Sequence, residues 1–382
     1  MTESPVYWSR ENMDVPRAAG VCLLSFVWLA ASCGGSGTEP PAEDPTVEER
    51  PPAPWPLEAF PELPEIMNDV PEARLELGRL LYYDPVLSID NQTACATCHS
   101  ELWGMGDGIP RGVGHGAGLD AGPGRAGPNT LRRNSPALFN LAFRSSLLWD
   151  GRAETLEEQA LTPIFNDQEL GSDQGALIAE LSAIPEYVDR FADAFPEDPG
   201  VTLDNLTAAL AAYERTFISN RSTYDGYAEG RFGLMNDEQI EGMFRFAEMG
   251  CNDCHAPPLF ESETFANRNV PEVDGVVDHG LEERTELGED RGKFRTPTLR
   301  NLAATEPYFH NGSIQLMSDV VRHELEQSGL PFTDEDARLI LLFIDKTLRD
   351  ESKSAIRPLE VPSGLPLPID PAGVTPRGGG GS

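Results

Sequence analysis

The residues best placed to do chemistry in this 382-residue chain form two short runs of one pattern, Cys95-Ala96-Thr97-Cys98-His99 and Cys251-Asn252-Asp253-Cys254-His255. Two thiols three positions apart, followed at once by an imidazole, suit covalent attachment of a haem. Each thiol takes one vinyl group, and the histidine presents a nitrogen to the iron. A structural zinc or a redox-active dithiol also uses CxxC, but neither explains a histidine repeated directly after both pairs. Cys95, Cys98, Cys251 and Cys254 are therefore expected to hold two covalent haem c groups, with His99 and His255 as proximal iron ligands.

The other two of the six cysteines, Cys22 and Cys33, lie in a segment that reads as an address. Arg17 precedes an apolar run from Val21 to Ala31, about the length of a signal peptide's hydrophobic region and too short to span a membrane. It ends in Leu29-Ala30-Ala31-Ser32-Cys33 before a Gly/Ser tether, the form of a bacterial lipoprotein cleavage site. Residues 1–33 are thus expected to be a signal peptide of lipoprotein type, with a plain secretory signal and an incidental Cys33 as the alternative. The expected location is the periplasm, lipid-anchored to the cell envelope. No disulfide is left to make.

The elements that must position the two motifs are helices. Leu203, Leu206, Leu210, Tyr213 and Phe217 recur at helical spacing. Ile240, Met243, Phe244 and Ala247 mark a second helix running into Cys251, and Leu339, Leu342, Phe343 and Ile344 a third, with Thr333 as its N-cap. No convincing alternating strand appears, so the fold is expected to be mostly α. Each half carries one motif, which points to a duplicated pair of domains, 65–220 and 221–353, joined by long Gly/Pro-rich loops. The Pro/Glu-rich stretch 34–64 is expected to be a flexible tether and 354–382 a disordered tail. With 29 basic against 63 acidic side chains, the formal charge of −34 excludes a nucleic-acid partner and suits a basic protein or a small neutral substrate.

A longer ordered series surrounds the motifs: Asp107-Gly108, Gly114-His115-Gly116, Arg133-Asn134-Ser135-Pro136, Trp149-Asp150-Gly151-Arg152, Leu156-Glu157-Glu158-Gln159 and Glu169-Leu170-Gly171. In the second half come Thr296-Pro297-Thr298-Leu299-Arg300-Asn301 and Thr305-Glu306-Pro307-Tyr308-Phe309-His310-Asn311-Gly312. On these residues the chain, from about Pro71 to Leu348, resembles the bacterial dihaem cytochrome c peroxidases and the related methylamine-dehydrogenase maturation enzyme MauG.

The resemblance implies two cytochrome c-like domains in tandem, a peroxidatic haem in the first and an electron-transfer haem in the second. It implies that Glu169 carries the proton during peroxide cleavage, that Gln159 orders the peroxide, and that Trp149 lies between the haems. His115, in a glycine loop sixteen residues after His99, matches a removable distal iron ligand. Asn134, Thr305 and Pro307 match a calcium site built from one side-chain oxygen and two carbonyls. One position departs from the family: where relatives carry a Met or Tyr ligand to the second iron, fourteen residues after His310, this chain has Glu324. Glu324 follows Val320 and Val321 by four and three positions, so it faces the apolar side of its helix, where a carboxylate needs a strong partner. Iron is one such partner and an arginine another; a shift of register would instead offer His323 or Met317.

The expected activity is reduction of hydrogen peroxide to water with electrons from a small c-type cytochrome or cupredoxin. The alternatives are a MauG-like oxidase that modifies a partner protein, and a dihaem electron carrier without catalysis. Family members often form homodimers, and the membrane is met only through the lipid anchor.

Overall fold

A computed structural model describes residues 53–352 and 355–369. The signal peptide, Cys22 and Cys33 lie outside the described residues. The fold is mostly helical. The first half contains α1 (Glu72–Tyr83), the single turn α2 (Cys95–Cys98), α3 (Leu156–Phe165), α4 (Gln174–Ala183), α5 (Pro185–Ala194) and α6 (Leu203–Glu214). The second contains α7 (Thr223–Ala228), α8 (Asp237–Glu248), the short α9 (Glu282–Thr285), α10 (Met317–Ser328) and α11 (Asp334–Thr347). One two-residue hairpin ladder, β1 (Phe265–Ala266) against β2 (Phe294–Arg295), pairs Phe265 with Arg295 and Ala266 with Phe294.

The helix starts are written in the sequence. Thr333 caps α11 reciprocally, its hydroxyl accepting from the Asp336 amide while Asp336 accepts from the Thr333 amide. Asp334, Glu335 and Asp336 then place negative charge on the positive end of the helix dipole. Asn236 and Gln239 form the same box at α8, and Thr202 and Thr155 cap α6 and α3.

Two apolar clusters divide between Phe217 and Tyr224. In the first, α1 packs along α6, burying Leu77, Leu81, Tyr82, Leu206 and Leu210. In the second, α8 packs along α11, burying Met243, Phe246, Ile340 and Phe343. Both pairs approach at a glycine. A β-carbon on Gly78 would collide with the Ala209 carbonyl, and one on Gly242 with the Leu339 carbonyl. Alanine at either position would force the helices apart.

Two segments differ from the sequence expectation. The end of the stretch expected as a tether is part of a core: Trp55 sits among Phe246, Phe260 and Phe343 and donates to the Tyr224 hydroxyl at 2.9 Å. Residues 355–369, expected as disordered tail, lie on the first half. There Ala355 and Val361 join its core, Arg357 pairs with Glu101, and Ser363 donates to Asp84 at 2.7 Å. Sparse apolar residues among prolines carry no periodicity, yet a single tryptophan filling a gap between aromatic rings orders a strand-like segment. Trp55→Ala is expected to lower stability by about 3 kcal/mol, read as a shifted denaturant midpoint with an unchanged slope.

Candidate functional site

Both CxxCH motifs open onto one continuous cavity of about 1270 Å³. Among the described residues none of the four cysteines is in a disulfide. Their half-buried thiols are free to form thioether bonds. In the first motif, α2 ends at His99, whose amide donates to the Cys95 carbonyl at 2.9 Å and whose own carbonyl accepts from the Tyr82 hydroxyl at 2.6 Å. The ring's Nδ1 lies 3.1 Å from the Met105 carbonyl. A carbonyl only accepts, so Nδ1 carries the proton and Nε2 keeps its lone pair. Burial pushes the His99 imidazolium down to about 4, so the ring is neutral at pH 7. The second motif repeats this: His255 Nδ1 lies 3.3 Å from the Phe260 carbonyl, and burial brings the ring to about 4.

The charges in the wall suit a haem as well. Arg144 and Arg295 are both almost wholly buried and share one carboxylate, Glu261, at 2.8 and 3.8 Å. Burial and the neighbouring Arg144 pull Arg295 down to about 9. Two guanidinium groups against one carboxylate leave a buried positive charge, the complement of a haem propionate. With apolar lining, paired thiols and neutral imidazoles, the residues present fit two haems.

Glu169 and Gln159 line the cavity too, and the Glu169 charge is felt at the Cys98 sulfur. Gln159 projects from α3. Glu169 sits in the loop after it, which folds back onto the helix end, with Leu170 donating to the Pro163 carbonyl and Ser172 to the Ile164 carbonyl. The last carbonyls of α3 are satisfied in this way and the loop is fixed. Asn166 donates to Glu169 Oε1 at 2.8 Å, and burial holds the Glu169 carboxyl above the usual carboxylate range.

His115 does not line this cavity. Its amide donates to the Glu169 carbonyl at 2.8 Å, and its Nε2 donates to the Asp167 carbonyl at 2.9 Å, while Asn129 donates to its carbonyl at 3.0 Å. In this conformation Nε2 is engaged by the Asp167 carbonyl.

Trp149 lines the cavity where the two halves meet. Its indole N–H donates to the Asn134 carbonyl at 2.9 Å, and its own carbonyl accepts from the Arg295 amide at 2.8 Å. Its ring meets His310 edge-on at 6.5 Å, and His310 stacks on Phe294 at 3.6 Å. Asn134, Thr305 and Pro307 also face the cavity. The Asn134 amide nitrogen is used on the Ile109 carbonyl at 2.9 Å, which leaves its oxygen as the donor atom for a cation. Among the described residues no group of three His, Cys, Asp or Glu side chains is arranged to hold a metal, so a calcium would rest on neutral oxygens.

The three residues weighed for the second iron are separated. Met317 packs against the second core, and His323 directs Nε2 to the Arg268 carbonyl at 2.8 Å. Glu324 alone of the three lines the cavity. Its Oε2 takes both Nε and Nη2 of Arg268, at 2.7 and 2.6 Å, with both side chains about a third exposed. The arginine partner is therefore realised, at the rim, and Glu324 is not the uncompensated buried carboxylate that its helical position suggests.

Sequence reasoning missed the Arg144–Arg295–Glu261 cluster, Arg268 and Glu214. Only Glu214 had a visible signal: it lies one turn beyond Leu210 on the apolar face of α6.

A mostly helical fold enclosing a shared cavity between two CxxCH motifs defines a protein with two haem sites. The comparisons then narrow the class. Residues 72–232 match the family model of di-haem cytochrome c peroxidase. The chain is 36% identical to cytochrome c551 peroxidase of Pseudomonas aeruginosa over 72% of this chain and 78% of that one. It is 31% identical to the methylamine utilization protein MauG of Methylorubrum extorquens over 68% of this chain and 70% of that one. The crystal structure of a MauG-like protein associated with microbial copper homeostasis matches with a TM-score of 0.65 and 26% identity, over 82% of this chain and 97% of that one. The chain belongs to the di-haem cytochrome c peroxidase family.

Proposed function

We propose that the haem of Cys95, Cys98 and His99 is the peroxide site of this dihaem peroxidase, and that the haem of Cys251, Cys254 and His255 receives electrons for it. The enzyme reduces hydrogen peroxide with electrons from a redox partner. The observation that supports the assignment of sites is Glu169, which lines the cavity with Gln159 and lies close enough to Cys98 of the first motif for its charge to be felt at that sulfur. A haem held there by Cys95, Cys98 and His99 would supply the electrons that break the O–O bond. Gln159 orients the peroxide through its amide. Glu169 takes the proton from one peroxide oxygen and returns it to the other, the one that leaves as water. Neutral His99, tied through Nδ1 to Met105, would offer the lone pair of Nε2 to a haem iron. Trp149, between the halves, shortens the path for electrons.

Each half is taken as one cytochrome c-like domain, with Asn134, Thr305 and Pro307 holding a calcium between them. An N-terminal lipoprotein signal would put the enzyme in the periplasm, and its net charge of −34 suits a small donor with a basic face. Steady-state oxidation of a reduced small c-type cytochrome by peroxide tests the activity; no turnover, with or without prior half-reduction, would refute it. Glu324 favours a second reading. With Met317 packed against the second core and the Glu324 carboxylate held by Arg268, a haem there would be a poor high-potential relay, as a MauG-like oxidation of a partner protein would allow.

The fastening of His115 to Asp167 gives a further expectation. Fully oxidised protein should react with peroxide without prior reduction, and His115→Ala should leave that rate unchanged in rapid mixing. A lag abolished by half-reduction would instead mean that the ring occupies the iron at rest.

A further inference from the structure

Turning peroxide into water takes two protons as well as two electrons (H2O2 + 2H+ + 2e− → 2H2O). Glu169, which moves a proton from one peroxide oxygen to the other, supplies neither of the two. Glu214, the last residue of α6, is a carboxyl for which the account above has no use. It is 6% exposed and lines the cavity. Its Oε2 is buried and has no hydrogen-bond partner among the described residues.

The groups around it offer only partial charge compensation. From α3 comes Glu157, bound through both oxygens to Arg215 at 2.8 Å each, so the adjacent guanidinium is already engaged. From α1 comes Tyr82, whose hydroxyl is given to the His99 carbonyl. From α2 comes Cys95, close enough for the Glu214 charge to be felt at its sulfur. On α6 itself there is Tyr213, again neutral. Burial pushes the Glu214 carboxyl up to about 8, with Arg215 opposing and Glu157 adding to the rise. A water-soluble chain gains nothing by burying an unpaired carboxyl in the wall of a cavity unless its proton is used.

We propose that Glu214 is a redox-linked proton site of the peroxidatic haem, holding a proton in the cavity wall while that haem is reduced and releasing it when that haem is oxidised. The O–H bond of the carboxyl breaks, and its electron pair stays on the carboxylate. The proton forms an O–H bond to a peroxide-derived oxygen, providing one of the two protons in the balance. Solvent returns the proton as the donor returns electrons. The sign is electrostatic: a less positive iron favours the neutral acid, and a more positive iron favours the carboxylate. The proposal rests on a haem being attached at Cys95, Cys98 and His99.

The test is a redox titration of the haem-loaded protein at a series of pH values. In the unaltered protein the potential of the first haem should fall with rising pH through the neutral range, approaching about 59 mV per tenfold change in proton concentration for a one-electron couple. In Glu214→Gln that slope should vanish, while the second haem titrates as before. A slope unchanged in Glu214→Gln, or no slope in the unaltered protein, overturns the proposal. Redox-difference infrared spectra of unaltered protein carrying 13C-glutamate provide a second measurement that needs no variant to fold. A protonated-carboxyl band gained on reduction, and retained in Glu169→Gln, supports Glu214; its absence overturns it. A peptide spanning residues 95–99 that carries no haem would overturn both the attachment and the proposal. Haem present there with an unaltered slope overturns the proposal alone.

Discussion

Glu169→Gln is expected to lower peroxide turnover by about 10²–10⁴-fold while leaving the haem absorption spectrum intact. Glutamine keeps the shape of the side chain and still accepts from Asn166, so the loop behind α3 stays fixed. What it lacks is a site that takes a proton from one peroxide oxygen and gives it to the other. The pH profile separates this role from a structural one. Burial holds the carboxyl above its ordinary value of about 4.3, and it must be ionised to accept a proton. Turnover in the unaltered enzyme should therefore fall as pH drops through that raised pKa, and the variant should lose this acid limb. Turnover within a few-fold of the unaltered enzyme would remove Glu169 from the mechanism.

The second large effect concerns electron supply. Replacing Cys251 and Cys254 with serine is expected to halve the covalent haem content, from two per chain to one, and to bring donor-driven turnover down to background. Thioethers at Cys251 and Cys254 would fix the second haem to the chain; without them only coordination by His255 and apolar contact would hold it. Haem staining after denaturation counts the covalent groups, and rapid mixing with peroxide shows whether the first site still reacts once. A single peroxide reaction without sustained turnover is the expected pattern. Full turnover in the double variant would mean that electrons reach the first site by another route.

The helices and the haem motifs could be read from the residues themselves because both are local. The capping box at Thr333 and the apolar spacing of Leu203, Leu206 and Leu210 need no distant partner, and CxxCH states its chemistry within five residues. The placement of Glu324 could not be read in this way. Its helical face was legible, but its partner Arg268 lies 56 residues earlier in a Pro/Gly-rich loop whose path no periodicity encodes. The same holds for Glu261, which meets Arg144 across 117 residues. His115 and Glu169 could be named from sequence, yet the fact that one faces the cavity and the other does not depends on a backbone contact between two loops. The segments around Trp55 and Val361 were assigned to solvent because low hydrophobic density implies no core of their own. They need none, since each completes a core built by the opposite half.

That exchange has a consequence for the order of assembly. The first apolar cluster lacks Ala355 and Val361 until residues far down the chain have been made, and the second takes Trp55 from well upstream. A chain emerging N-terminus first therefore cannot seal its first half ahead of its second. The two ends of the chain thus lace the halves together, each supplying apolar contacts to the cluster that the other half builds.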